Sequence, residues 1–163
     1  MLLRPGDHLW IEAWIPRRDP LWGADVGVAA AWVGHWWSAA LASLGGPECA
    51  VHEGRAVPGE LGALVCFSGR GPGEVFQHGR KVMGVSQWRG REGALFHTCA
   101  YTRWDPRWLV ELLHLDGVSQ EQLVAGVATA AIGVDELPLV GAGIAALGEV
   151  LLSTFGAWGE GRS

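Results

Sequence analysis

Residues 79–98 read GRKVMGVSQWRGREGALFHT, and the reading of this run decides the fold. Two strand-like segments, about 80–88 and 94–102, flank RGREG, which has the glycine chemistry of a hairpin turn. In the first segment Lys81, Met83, Val85 and Gln87 share one face, with Val82, Gly84, Ser86 and Trp88 on the other. In the second, Leu95, His97, Cys99 and Tyr101 share a face. A turn near residues 90–91 sets Lys81 across from about Ala100, a residue or two from Cys99. The hairpin therefore offers Lys81, Gln87, His97 and Cys99 as a polar cluster, in a chain with only 18% charged residues. Each member also has an ordinary alternative. A strand lysine commonly snorkels from an edge, a lone cysteine fills small core space, and a histidine serves as a structural hydrogen-bond partner.

Working outward, HLWIEAWI (8–15) alternates Leu9, Ile11, Ala13 and Ile15 against His8, Trp10, Glu12 and Trp14. That pattern is a strand with one apolar and one mixed face. PRRDPLWGAD breaks it, and Asp19-Pro20 or Asp25 opens a long helix over about 23–44 that ends at Gly45-Gly46. CAVHEG and GALVCFSG read as short strands, and SGRGPGE (68–74) as a loop. Beyond the hairpin the pattern turns helical. DPRWLVELLH takes Asp105 as N-cap and Pro106 as its first helical residue. SQEQLVAGVATAA opens on the Ser119/Gln122 spacing of a capping box. PLVGAGIAALGEVLLSTFG (138–156) is an apolar helix loosened by glycines, and the tail EGRS frays. The order of elements gives an α+β fold, a mostly antiparallel sheet with packed helices. With no repeat and no linker, residues 1–163 form one domain: 1–115 hold the sheet and long helix, 116–163 the C-terminal helices.

Composition narrows the function classes. A net charge of −5 and a pI near 5.6 leave no broad basic surface for nucleic acid. Cys49, Cys66 and Cys99 are odd in number and lack CxxC spacing, so neither a disulfide framework nor a resident metal is expected, and a cytoplasmic location fits. Val26 to Pro47 contains no Asp, Glu, Lys or Arg and has the length of a membrane span. Its bulky residues recur at helical spacing, however, with Ala, Gly, His and Ser elsewhere, so it reads as a core helix and no membrane association is expected. SGRGPGE matches no phosphate-loop signature.

The run GRKVMGVSQWRGREGALFH resembles the lysine segment of the lipoate–protein ligase and octanoyltransferase family, whose catalytic fold is shared with biotin–protein ligases. The matching positions are Gly79, Lys81, Val82, Gly84, Ser86, Gln87, Arg89, Arg91 and His97. CFSGRGPGEV looks like the loop that ends in an acidic residue before the lysine strand, and RPGDHLWIEAWIP like the strand after the family's arginine- and glycine-rich signature. The arginine pair, Gly-Gly-Gly run and following His-Asp of that signature are absent from residues 1–163, and Trp88 stands where an arginine is common. The resemblance thus implies a partial, N-terminally truncated ligase-like domain.

The same resemblance implies a chemistry. A ligase of this type joins lipoate or octanoate to ATP, with Mg²⁺, and passes the acyl group from the adenylate to a lysine of a lipoyl-type carrier domain. Lys81 would then be the catalytic contact, an ammonium on a rigid strand between the acyl carbonyl and the phosphate. Met83 and Val85 would keep the site dry and suit an alkyl chain. Gly71, Gly73, Glu74, Gly84, Ser86, Gln87 and His97 would hold ligand, with Glu74 at the acidic position near the adenylate. Two alternatives stand beside this one. The first is octanoyl transfer through a cysteine, for which Cys99 near Lys81 is the candidate nucleophile. The second is a non-catalytic ligand-binding subunit, with a second chain supplying the missing pocket wall.

Overall fold

The computed structural model describes residues 3–59, 61–113, 117–141 and 143–160. Five antiparallel strands form one sheet in the order β1-β5-β4-β3-β2: His8–Pro16, Gly93–Tyr101, Arg80–Arg89, Val75–Gln77 and Ala50–Val51. Helices α1 (Ala31–Ser43), α2 (Arg107–Val110), α3 (Gln120–Val127) and α4 (Ile144–Glu160) complete the α+β architecture. The alternation read in 8–15 sets the main core. Ile11, Ala13 and Ile15 of β1 and Ala94, Phe96 and Ala100 of β5 face Trp32, Val33, Trp36, Trp37 and Leu41 of α1 and Leu147 and Leu151 of α4. The two helices are pinned to each other where Trp36 Nε1 donates to Thr154 Oγ1 at 3.1 Å. A second cluster gathers Val65, Phe67, Cys99, Tyr101, Leu109, Val110, Leu123 and Val127. Among the described residues no helix is long and apolar enough to cross a membrane.

Several boundaries differ from the sequence reading, each for a local reason. The long helix begins at Ala31, not near residue 23. Asp25 spends its side chain on the Gly27 N–H at 2.7 Å and its carbonyl on Val28 and Ala29, closing a turn instead of opening a helix. Its end is as read: Gly45 adopts φ +70° and its N–H reaches the Ala42 carbonyl, while Gly46 N–H reaches Leu41. GALVCFSG is a turn and a short 3-10 helix (Cys66–Ser68), with Val65 and Phe67 buried and Cys66 exposed; a short apolar run does not distinguish the two. Strand β3 goes unread because it is only three residues long, directly after the glycine-rich loop.

The C-terminal helices show the same mixture. The Ser119/Gln122 capping box forms with both bonds present. Helix α2 is a single turn whose N-cap is Pro106; Asp105 accepts from the Arg107 N–H and grips its guanidinium. Helix α4 starts at Ile144 because Gly141 and Gly143 take positive φ, and Asp135 Oδ1 receives the Ile144 N–H at 3.0 Å. His114, at the end of DPRWLVELLH, and residues 161–163 of the tail lie outside the described residues.

Candidate active site

The site is created by one extra residue. Val75 pairs with Met83 but Phe76 pairs with Lys81, so Val82 is a bulge in β4. The bulge reverses the alternation. Val82 and Met83 both point into the helix-packed core, while Lys81 joins the opposite face with Gly84 and Ser86. Strict alternation, which grouped Lys81 with Met83, Val85 and Gln87, is therefore corrected, and with it the placement of Met83 against a ligand. The register is also two residues from the one read: the last β4–β5 pair is Gly84 with Cys99. At Lys81 the segment Ala130–Ile132 takes over the β5 side, with Lys81 N–H to Ala130 at 2.9 Å and Ile132 N–H to the Lys81 carbonyl at 3.0 Å.

Lys81 is 1% exposed and Glu74 is 7% exposed. The ammonium donates to Glu74 Oε1 at 2.8 Å and lies 2.7 Å from Oε2, and it reaches the Cys66 carbonyl at 3.0 Å. The Phe67 and Phe76 rings lie 5.3 Å and 5.9 Å from it. Glu74 Oε2 also accepts the Gly71 N–H at 2.6 Å, which ties the glycine-rich loop to the pair. Burial pushes the Glu74 carboxyl up and the Lys81 ammonium down, and each partner opposes the other's shift. Pairing is what lets both charges be buried at all.

Glu74 forms part of a cavity of about 140 Å³ that is also lined by Cys66 and Phe67 and, from the sheet, by Trp10, Gly84, Ser86, His97 and Cys99. Its walls are mainly apolar and its size is below that of a drug-binding pocket. At Gly84 a Cβ would stand 3.4 Å from Phe67 and 3.5 Å from Glu74, so the missing side chain is part of the space. His97 Nδ1 lies 2.9 Å from Glu12 Oε1, and its ring 5.6 Å from that of Trp10. Gly71 and Gly73 do not line this cavity. Gly73, at φ +81°, presses the loop onto the start of α1, where a Cβ would collide with the carbonyl of its N-cap Ala30.

Gln87 is not in the cluster. Its amide donates to the Val26 carbonyl at 2.8 Å on the other face, and Arg89 reaches Gln87 Oε1 and the Gly23 carbonyl. Together these two staple the turns before α1 to the sheet. Cys99 does line the cavity, but it is 2% exposed and burial pushes its thiol up to about 12. Cys66 is the cysteine that sequence reasoning passed over. It is exposed, lines the same cavity, and its own carbonyl holds Lys81. The available signal was a cysteine in the loop preceding the lysine strand, obscured because CFSG was read as strand. Among the described residues no cluster of three or more His, Cys, Asp or Glu side chains could hold a metal.

No family model matches the chain, and no curated protein matches it. Among solved structures the chain superposes on a bi-partite lipoate protein ligase from Thermoplasma acidophilum, described with its E2 lipoyl domain. The TM-score is 0.65 at 17% identity, over 94% of this chain and 51% of that one. This chain therefore has the fold of a lipoate protein ligase and spans about half the length of that protein's chain.

Proposed function

We propose that this chain is a lysine-centred acyl-transfer domain of the lipoate–protein ligase type, moving lipoate or octanoate from an acyl adenylate to a lysine of a lipoyl-type carrier. One observation carries the reading: a buried lysine, held by a single carboxylate beside an apolar cavity, on the sheet of a ligase fold. In the resting arrangement Glu74 and the Cys66 carbonyl occupy the ammonium. An adenylate would replace them, its phosphate and acyl oxygens taking over as acceptors while the alkyl chain lies against Phe67 and Gly84. A point charge on a strand suits that exchange, because it meets developing negative charge without reorganising in a site that excludes water.

ATP would be a substrate of this reaction. Among the described residues lining this cavity the carboxylate is Glu74, both of whose oxygens are engaged, so the lining does not fit a magnesium ion. A second polypeptide segment would close the site: β1 is an edge strand, and Trp14 and Trp88 stand exposed on the cavity side of the sheet. The test is calorimetric titration with a non-hydrolysable lipoyl adenylate mimic. Binding by the wild-type chain, weakened about tenfold or more in Lys81→Arg, supports the reading. Equal binding by Lys81→Arg, or no binding by the wild type, sinks it.

A second reading is favoured by the position of Cys66, in place of Cys99. Its thiolate would attack an acyl thioester, forming one C–S bond as the donor's C–S bond breaks, with the departing thiolate taking up a proton. An exposed thiol near an ammonium is suited to this, whereas the buried Cys99 is not. Incubation with an octanoyl thioester followed by peptide mass spectrometry decides between them. An octanoyl adduct on Cys66 puts thioester transfer ahead, and an unmodified Cys66 removes it.

A further inference from the structure

We propose that His97, oriented by Glu12, is the proton acceptor of this cavity, taking the proton released when an amine attacks the bound acyl adenylate. This rests on the function proposed above and adds a catalytic residue to it. The sheet register carries the argument. Glu12 on β1 pairs with His97 on β5, and His97 pairs with Ser86 on β4, so the three stand in one row across the cavity face. Glu12 Oε1 accepts from Trp10 Nε1 at 3.0 Å and from His97 Nδ1 at 2.9 Å. An ionised carboxylate can only accept, so the ring proton sits on Nδ1, and the neutral imidazole keeps its lone pair on Nε2. The bonds from Trp10 and His97 hold the Glu12 carboxyl below its usual range, which keeps it an acceptor at neutral pH.

The free nitrogen has somewhere to act. His97 Nε2 has no hydrogen-bond partner among the described residues, and its ring lines the cavity at 24% exposure. The tilted Trp10 ring holds the imidazole from one side. Ionisable groups facing the ring are few: Glu12 from β1, Cys99 from β5, and Cys66 and Glu74, with its partner Lys81, across the cavity. Of these, Glu74 is saturated by Lys81 and Gly71, and Cys99 is held protonated by burial. That leaves His97 as the basic group open to an incoming amine. In the step, the amine nitrogen forms a bond to the acyl carbonyl carbon and the bond from that carbon to the phosphate oxygen breaks. The electron pair leaves on AMP, and the N–H proton passes to His97 Nε2 and then to water. Glu12 touches no reacting atom and is a positioning residue.

The experiment supplies synthetic octanoyl adenylate and a lipoyl-type carrier domain, and follows amide formation by mass spectrometry across the neutral pH range. His97→Gln is expected to lose about 10²–10⁴-fold in rate. It should also lose the pH inflection of the wild type, bind the non-hydrolysable mimic normally, and regain rate with added imidazole. Glu12→Gln should lower the rate with binding unchanged. If the wild type binds and transfers while His97→Gln keeps both rate and inflection, the proposal is overturned and the function stands. If the wild type neither binds the mimic nor forms amide, the function falls and the proposal with it. Should His97→Gln fail to fold, Glu12→Gln decides, since that side chain is exposed: an unchanged rate overturns the proposal.

Discussion

The two faces of the sheet are built on different rules. The helix-facing side packs Ile11, Ala13 and Ile15 of β1, Phe96 and Ala100 of β5 and Val82 and Met83 of β4 against Trp32, Trp36, Trp37 and Leu41, with Gln87 and Arg89 kept to the far end of β4. The opposite side packs Cys99 and Tyr101 into the second apolar cluster, but beside it buries Glu74 against Lys81 and leaves Trp14 at 46% and Trp88 at 59% exposure. On the first face burial itself stabilises the fold. On the second, the buried charges cost desolvation that their mutual attraction only offsets, and the exposed aromatics contribute little to folding. The charge pair and the exposed tryptophans are the part of this face that costs stability without returning it, and that part is where function is expected.

Substitutions on the two faces separate these rules. Trp37 is fully buried in the helix layer, so Trp37→Ala should cost about 3–5 kcal/mol and no single neighbouring change should restore it. Lys81→Met should cost a similar amount, about 3–5 kcal/mol, because it leaves Glu74 buried with no counter-charge. Here, though, rescue is available. Lys81→Met combined with Glu74→Leu removes both charges and should return most of the loss, while abolishing adenylate binding. Urea unfolding of the three variants measures this. A double variant no more stable than Lys81→Met would show that the pair holds the fold together as the core does, and the contrast between the faces would be lost.

The pH dependence sharpens the same contrast. Burial raises Glu74 from its ordinary 4.5, so the folded chain holds that proton longer than the unfolded one, and stability falls as pH rises from 4.5 through the raised value. Burial lowers Lys81 from its ordinary 10.5, so the unfolded chain binds that proton more tightly, and stability recovers as pH rises from the lowered value toward 10.5. The wild type minus the Lys81→Met/Glu74→Leu variant should therefore show a trough between the two windows. A flat difference curve would mean that attraction within the pair cancels its desolvation.

The contrast also explains what was legible in the sequence. The helix face was readable because its signals are local: the period-two alternation of β1 and the Gly45 helix end each sit within a few residues, as does the Ser119/Gln122 box of α3 in the second cluster. Lys81, His97 and Cys99 stood out from the hairpin pattern, Glu74, Gly84 and Ser86 only through the resemblance, and their arrangement was not legible. Val82 and Met83 are both apolar, so nothing in the string marks one of them as the bulge that turns Lys81 over. Nor does any local pattern announce that Glu74 comes back across the strand to meet Lys81, or that CFSG curls so that a cysteine carbonyl faces an ammonium. Those contacts are fixed by how loop and strand pack, not by a pattern within either.

The smallest expected effect tests whether the exposed tryptophans belong to the fold. Leu95 of β5 is flanked by Trp14 on β1 and Trp88 on β4, a cross-strand row on the cavity side. Trp88 also lies over Gly90 of the hairpin turn, where its ring fills the space a side chain would take. Such a cross-strand pair is worth about 0.2–1 kcal/mol, and most of the Trp88 ring already meets solvent. Trp88→Gln should therefore lower stability by no more than about 1 kcal/mol, read from the urea midpoint at unchanged slope. Adenylate binding should not change, because Trp88 does not line the cavity. A loss of several kcal/mol would place Trp88 with Trp37 as a structural residue, and the division between the two faces would have to be redrawn.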